Sequence, residues 1–433
     1  MADVRPLSGI RYAPEAVSEL AEVVTPPFDV ISAEAQERYY ARNPYNVIRM
    51  ELGKILPTDD TLNNCYTRAA TTLAEWRLAD VLRQDTPPTY YAYRQVFKHG
   101  GQTYARTSLL ARVGLEPWEK HVVLRHEFTR KKDKDDRLQL LRACAVNLSP
   151  IMSMYNDPQG RIRRLLGDYL QDPEVHITDE AGEEHLLQPV TNPDQIEQIQ
   201  SFFAERQLYI ADGHHRYETA LNYRNEVLEM RHELASDDAV NFVMMALIDL
   251  DDPGMLVLPT HRLFSDLSPE VLANLTSANL GRYLHVRELG QVDQATLREL
   301  EQVGADTPSF LLMTPPQSWL LSLNEQGRAR MKTAGHSAAW QELDVAIAHT
   351  LILEELLQLQ PTDLTAGQYV RYTHDEQEAL NAMKQGTAQA ALFLNGTRVR
   401  QICDIADADD QMPQKSTYFY PKLITGLVLN PLW

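Results

Sequence analysis

The segment that most restricts this chain is LYIADGHHRYETAL, residues 208–221. Leu208-Tyr209-Ile210-Ala211 is a short apolar run of strand type, and Asp212-Gly213-His214-His215-Arg216 is a polar turn. From Tyr217 the pattern is helical, with Tyr217, Leu221, Val227, Leu228 and Leu234 forming a stripe near 3.6-residue periodicity. A strand that turns through glycine into a helix aims backbone N–H groups at an anion. Gly213 lets the backbone take φ > 0 or approach a ligand without a Cβ clash. Two imidazoles and a guanidinium add donors, and Arg216 can grip a phosphate through two bonds. This is phosphate-site composition without a P-loop lysine, since no GxxxxGK[ST] occurs in the chain. The competing reading is a histidine-rich cap in which Arg216 pairs with Glu218. A zinc or iron site is a further reading, weakened because adjacent imidazoles diverge and the 13 histidines include no HxH or HxxxH pair.

The surrounding elements are predicted as follows. NFVMMALIDL, at 241–250, is a continuous apolar run of buried-strand type, followed by the turn DDPG and the strand MLVLP. Upstream, residues 61–84 place Leu62, Ala69, Leu73, Trp76 and Leu82 at helical spacing. TYYAYRQVFKHGGQTYARTSLLARVGL reads as a hairpin about Gly100-Gly101. Beyond about Ser265, FLLMTPPQSWLLSL reads as two strands around a proline turn. LDVAIAHTLILEELLQL reads as a helix apolar almost all round, hence buried. YVRYT, a polar helix and ALFLNG suggest strand–helix–strand. The expected fold is α+β: a small mixed sheet bearing the Asp212–Arg216 turn within residues 1–265, then an α/β domain over 266–433.

Length and charge exclude several classes. With 433 residues, 44% of them hydrophobic, the chain can bury a full core and divide into two domains. The 60 acidic and 41 basic residues give −19, which argues against coating nucleic acid, and no basic arm or helix-turn-helix is visible. Cys65, Cys144 and Cys403 lie far apart without a CxxC pair, the usage of a reducing cytoplasm. The N-terminal residues have no apolar h-region. The longest apolar run, Phe242 to Leu250, is about half what a bilayer-spanning helix needs. A soluble cytoplasmic protein is expected, of undetermined oligomeric state and with no membrane partner.

IADGHHRYETAL resembles the signature of the ParB/sulfiredoxin superfamily, in which a glycine turn followed by a basic pair at a helix start holds nucleotide phosphates. Sulfiredoxins carry their catalytic cysteine after that glycine. His214 stands there in this chain, so reductase chemistry is not implied. The turn is closer to that of ADP-dependent free serine kinases, Asp-Gly-His-Thr-Arg, with His215 in place of the threonine. More widely, TPPFDVIS at 25–32, NPYNVIR at 43–49, RHEFT at 125–129, DRLQLL at 136–141, NLSPI at 147–151, ADGHHRYETA at 211–220, LPTHR at 258–262 and MPQKSTYFYPK at 412–422 are similar to the bacterial and archaeal domain-of-unknown-function family 1015.

Phosphoryl transfer to a hydroxyl needs a positioning or proton-accepting carboxylate, cations on the phosphates and usually magnesium. The candidate carboxylates are Asp29 in PPFDV, Glu127 in RHEFT, and Asp212. Glu127 lies beside His126 and ahead of Arg130-Lys131-Lys132, although RKKDKDD also reads as a solvated, charge-balanced loop. His261 and Arg262 follow Pro259-Thr260, where they either meet a ligand or cap a neighbouring helix. Lys415, Ser416, Thr417 and Lys422 bracket Tyr418-Phe419-Tyr420, a segment that suits a base and a phosphate but also fits an ordinary strand. The expected assignment is therefore catalytic Glu127, His126 and Asp212, with Asp212 also the magnesium ligand. Gly213, His214, His215, Arg216, His261, Arg262, Lys415 and Lys422 would bind nucleotide. His126, Glu127, His261 and Arg262 are expected to converge on the turn. The leading function is an ATP- or ADP-dependent phosphotransferase, with Mg²⁺, acting on a small hydroxylated metabolite, free serine first among them. The alternatives are a ParB-like nucleotide-binding or DNA-associated module without turnover, and a metal-dependent hydrolase.

Overall fold

Leu208–Asp212 forms a strand and His214–Arg231 a helix, with Gly213 alone between them. The computed structural model describes residues 1–127, 129, 131–360 and 368–433, with backbone alone over 131–133. The cationic side chains expected at Arg130, Lys131 and Lys132, and Phe128 of RHEFT, lie outside the described residues. The helix opens at His214, ahead of the stripe that begins at Tyr217. Of the expected stripe, Tyr217 and Val227 are buried and Leu221 is half-buried, but Leu228 is exposed and Leu234 lies beyond the helix, whereas Gly213 at φ +98° is the residue that ends the strand and caps the helix. Tyr217 is fully buried, with its hydroxyl donating to the Glu116 carbonyl at 2.8 Å and its ring 4.6 Å from that of Trp118.

The strand Leu208–Asp212 pairs in parallel with Val123–Leu124 and antiparallel with Ile151–Tyr155. Ile151–Tyr155 runs parallel to Phe242–Asp249, every residue of which is buried. Next come the hairpin Tyr90–His99 and Gln102–Gly114, then Glu184–Val190 and Val175–Thr178, with Val4–Arg5 pairing off Gln102–Gly114. The sheet is mixed, as expected, but it is not small: it has nine strands. Several partners are short segments with little periodicity of their own, so their membership depends on non-local pairing. The helix Cys65–Leu78 opens on an Asn64–Thr67 capping box and buries Ala69, Leu73 and Trp76. Leu62 lies outside it and exposed, and Leu82 belongs to the strand Leu82–Gln84.

A second sheet has six strands in the order Leu284–Leu289, Ser318–Leu323, Ser309–Met313, Ala390–Leu394, His261–Phe264 and Val370–Thr373, with every pair antiparallel. Helix Gln294–Gly304 joins two strands that flank Ser318–Leu323, and helix Glu376–Gln385 joins two that flank His261–Phe264. The strand–helix–strand at 370–394 is therefore present, but each crossover spans an inserted antiparallel strand. That corrects the expected α/β domain to α+β. LDVAIAHTLILEELLQL is buried as expected, over a helix Asp344–Ile347 that widens into a π-helix at Ala348–Leu356.

The chain divides into two compact units. One comprises residues 1–125, 129–255 and 421–433, and the other has His126 and Glu127 together with Leu256–Tyr420. The main segment of the second unit thus begins at Leu256, and a single cut near 265 does not describe the returning segments. Among the described residues no helix is long and apolar enough to cross a membrane. Cys65, Cys144 and Cys403 are unpaired.

Candidate functional site

Asp212 ends its strand with both carboxylate oxygens engaged. Oδ1 accepts from Lys422 Nζ at 2.9 Å, and Oδ2 from Arg216 Nη2 at 3.4 Å. Lys422 comes from the C-terminal stretch, which the long hairpin holds in place. Gln95 Nε2 donates to the Lys422 carbonyl at 3.0 Å, and the buried Arg106 donates from Nη2 to the Pro421 carbonyl at 2.6 Å. Arg216 also reaches the loop ahead of Ile151–Tyr155, with Nη1 donating to the Pro150 carbonyl at 2.7 Å and to Ser149 Oγ at 3.0 Å. The guanidinium thus ties the helix start to a neighbouring strand. A Cβ at Gly213 would come within 3.0–3.2 Å of it. Positive φ and this close approach together call for glycine.

The pairing of Arg216 with Glu218 does not form. Glu218 points away from the turn, accepting from Arg125 at 3.1 Å, Lys134 at 2.8 Å and Thr129 Oγ1 at 2.6 Å. One helical turn separates a residue at i from i+4 but not i+2, so Arg216 and Glu218 face different neighbours. His214 is buried at the first helical position and His215 is half-buried. Burial alone would raise the Asp212 carboxyl, but Lys422, then Arg216, and then His214 outweigh it and hold Asp212 well below the usual carboxylate range. Two fixed cations against one carboxylate leave the turn positive, and the helix N-terminus adds to that.

In the second unit, His126 is buried, with Nε2 3.3 Å from Thr417 Oγ1 and its carbonyl accepting from Met412 N at 2.8 Å. Glu127 makes a backbone bridge to Met412. His126-Glu127 and the stretch Met412–Thr417, distant in sequence, therefore lie side by side. His261 opens the strand His261–Phe264 and is buried, accepting from Leu394 N at Nδ1 over 3.3 Å. Burial first, then Arg262, pushes its imidazole down to about 3. Arg262 is buried too, pushed down to about 10 by burial; it donates to the Thr260 carbonyl and lies 5.6 Å from the Tyr372 ring centre. Lys415 is exposed and lines a cleft with Thr260, Tyr372 and His374. The His374 ring stacks on Tyr418 at 3.7 Å, and Phe419–Tyr420 pairs with Leu256–Val257 as a short strand. Within the first unit, then, Asp212, Gly213, His214, His215, Arg216 and Lys422 assemble at one turn. His126, Glu127, His261, Arg262 and Lys415 are placed by the second.

The profile of the family described as "Protein of unknown function (DUF1015)" matches residues 4–346. The chain belongs to that family. In this DUF1015 chain the matched span takes in the Asp212–Arg216 turn and LPTHR, while Lys422 lies beyond it. No curated protein matches in sequence. Among solved structures, a conserved hypothetical protein from Pyrococcus furiosus gives a TM-score of 0.35 at 12% identity, covering 73% of this chain and 92% of its own. A free serine kinase variant in complex with AMP gives 0.37 at 11% identity, covering 74% and 92%. SbnI with a C-terminal truncation, from Staphylococcus aureus, gives 0.35 at 10%, covering 75% and 87%. Scores of this size describe a weak likeness. Sequence reasoning did not foresee the ion pair of Lys422 with Asp212 or the Ser149 acceptor for Arg216. NLSPI and KSTYFYPK were visible as motifs, but pairing across 210 positions leaves no local signal.

Proposed function

We propose that the protein is a nucleotide-dependent phosphotransferase whose phosphate-binding element is the Asp212–Arg216 turn. The observation that carries the reading is the joint of strand to 18-residue helix through one positive-φ glycine, flanked by Lys422 and Arg216 around a single carboxylate. A helix of that length presents about half a positive charge at its N-terminus, and Gly213 brings no capping side chain to compete for the first turn. A phosphate entering there would draw on Lys422 and Arg216, which now share Asp212. The resemblance of the turn to the superfamily signature points to ATP or ADP. A small hydroxylated acceptor, free serine first, follows from the same resemblance.

In the proposed reaction the acceptor hydroxyl oxygen bonds to the terminal phosphorus, the bond to the leaving nucleotide breaks, and the hydroxyl proton passes to a general base, the role for which the sequence suggests Glu127. His214, His215 and Arg216 offset charge on the transferring group. Asp212 does not fit as a magnesium ligand of the protein by itself. Both its oxygens are bonded to cations, and a further cation beside Lys422 and Arg216 would be repelled. Its role in the proposal is to hold those two side chains in place.

Isothermal titration with ATP, ADP and CTP tests the binding element. Wild type is expected to bind one of them, and Arg216→Ala about 10- to 150-fold more weakly, the worth of about 1.5–3 kcal/mol of charge-assisted bonding. Circular dichroism on the same samples separates lost binding from lost folding, because Arg216 also holds Ser149 and Pro150. Phosphorus NMR with magnesium and pools of amino acids and sugars tests turnover, which Glu127→Gln should slow by about 10²–10⁴ with binding retained. Nucleotide binding without product from any pool would sink the kinase reading and leave a binding module.

A further inference from the structure

The hairpin that ends the nine-stranded sheet carries a group the proposed reaction does not use. Asp179, Glu183 and His185 each present one ligand atom, and the three atoms lie within 4.8 Å of one another. They stand around the turn between Val175–Thr178 and Glu184–Val190, where Gly182 takes φ +81° and folds the chain back on itself. Asp179 Oδ1 accepts from the Glu183 backbone N–H at 2.9 Å, which leaves Oδ2 turned toward the imidazole. His185 is fully buried, and its Nε2 lies 3.2 Å from Asp179 Oδ2 without the alignment of a hydrogen bond. Its Nδ1 is 2.8 Å from the hydroxyl of buried Tyr93. Glu183 is 8% exposed, and among the described residues no hydrogen bond or ion pair within 4 Å engages its carboxylate, which burial and then Asp179 push up to about 7 against the weaker pull of the buried Arg106.

A carboxylate as deep as that of Glu183 without a hydrogen-bond partner is costly, and so is the fully buried Nε2 of His185 beside it. A divalent cation held by the Glu183 carboxylate and His185 Nε2, with Asp179 as the third ligand, relieves both. We propose that Asp179, Glu183 and His185 bind a first-row divalent transition ion, zinc in the first place. One imidazole nitrogen and two carboxylate oxygens are a donor set that zinc accepts at about 2.0–2.2 Å, and two negative charges balance the ion in a buried setting. Ligands at those distances stand about 3–4 Å apart, so the three side chains need to close by about an ångström. The Tyr93 hydroxyl on Nδ1 is the outer partner that fixes ring orientation and leaves Nε2 for the metal. Three protein ligands leave one position for water or an exogenous group. Magnesium, which asks for six oxygens in near-octahedral array, suits the imidazole poorly.

The test uses the full chain after chelation and buffer exchange, titrated with Zn²⁺ against a competing chelating dye, with Mg²⁺ as a parallel arm. Wild type is expected to take up one Zn²⁺, to melt at a higher temperature with it, and to ignore Mg²⁺ at the same concentration. Glu183→Gln is nearly isosteric and has no bond to lose, so it should fold as wild type does, by circular dichroism, yet bind Zn²⁺ at least tenfold more weakly. His185→Gln should show the same loss. Failure of wild type to bind Zn²⁺, or equal uptake by wild type and Glu183→Gln, overturns the proposal. Neither outcome bears on the Asp212–Arg216 turn, whose nucleotide titration is read separately.

Discussion

Leu394 N–H reaches His261 Nδ1, so Nδ1 carries no proton and the proton sits on Nε2, which has no acceptor among the described residues. A second proton would have to enter a buried ring beside Arg262, and its pKa accordingly falls to about 3. The unfolded imidazole takes a proton near 6.5. Above that value both states are neutral and the full stability is present. As pH falls from about 6.5 toward 3, the unfolded chain binds a proton that the folded one does not, and stability is lost. The loss attributable to this one residue is expected to reach a few kcal/mol near the lower end. Urea midpoints of wild type and His261→Gln across pH 4–7.5 check it: the wild-type midpoint should fall more steeply, since glutamine does not titrate. Parallel curves would assign the acid sensitivity elsewhere. The same geometry bears on what LPTHR signalled in the sequence. A histidine after a strand-edge proline is compatible with a ligand contact or with packing, and only the register of Leu394 beside it reveals which nitrogen is occupied.

At the scale of the element, the strand–Gly213–helix joint is the most specific feature, and its glycine can be tested alone. A non-glycine residue in left-handed backbone costs roughly 1–2 kcal/mol. At Gly213 the added Cβ would also press on the Arg216 guanidinium at 3.0–3.2 Å. Gly213→Ala is therefore expected to destabilise the protein by about 1–3 kcal/mol and to loosen Arg216 from Ser149 and Pro150. Gly101→Ala, also at positive φ but with nothing within 4 Å, is the matched control for backbone strain. Thermal melts should show the larger shift at Gly213, and equal shifts would mean that the guanidinium contact is immaterial. Elements with strong local patterning were legible in the sequence: the Gly100-Gly101 hairpin, the strand ahead of Asp212, and the paired strands of FLLMTPPQSWLLSL. The helix start was displaced because apolar periodicity reports a packed face, whereas the boundary is set by backbone conformation at a cap. The hairpin bearing Asp179, Glu183 and His185 was not singled out. Its one visible signal is a glycine turn followed by acid and imidazole two positions apart, which fall on the same side of a strand.

For the molecule as a whole, the decisive arrangement is the return of the C-terminal stretch 421–433 to the first unit. Local pattern could not announce it, because each contact pairs residues hundreds of positions apart. Leu429 exchanges backbone hydrogen bonds with Ile10 at 2.8 and 2.9 Å, Thr425 with Thr25 at 2.7 and 3.1 Å, and Asn430–Pro431 pairs with Val146–Asn147. Leu432 joins the core beneath the nine-stranded sheet, and Leu429 joins the core around Trp76. Leu423, Ile424, Leu427, Val428, Leu429 and Leu432 are all buried. At about 1.5–3 kcal/mol for each such side chain, their loss would match or exceed the 5–15 kcal/mol of a typical domain. A chain ending at Tyr420 is thus expected to lose cooperative folding of the first unit and, with Lys422, any nucleotide binding. Residues Leu256–Tyr420 keep their own six-stranded sheet and should survive limited proteolysis as a fragment. Lys422→Met separates the two effects. It keeps the apolar stretch and the Gln95 bond to its carbonyl but takes the ammonium partner from the Asp212 carboxylate, so melting should fall by a few degrees with cooperativity kept while nucleotide affinity falls. A truncated chain that melts with the wild-type enthalpy would show that the returning strand is dispensable to the first unit, and the binding loss in Lys422→Met would then stand on the ammonium group alone.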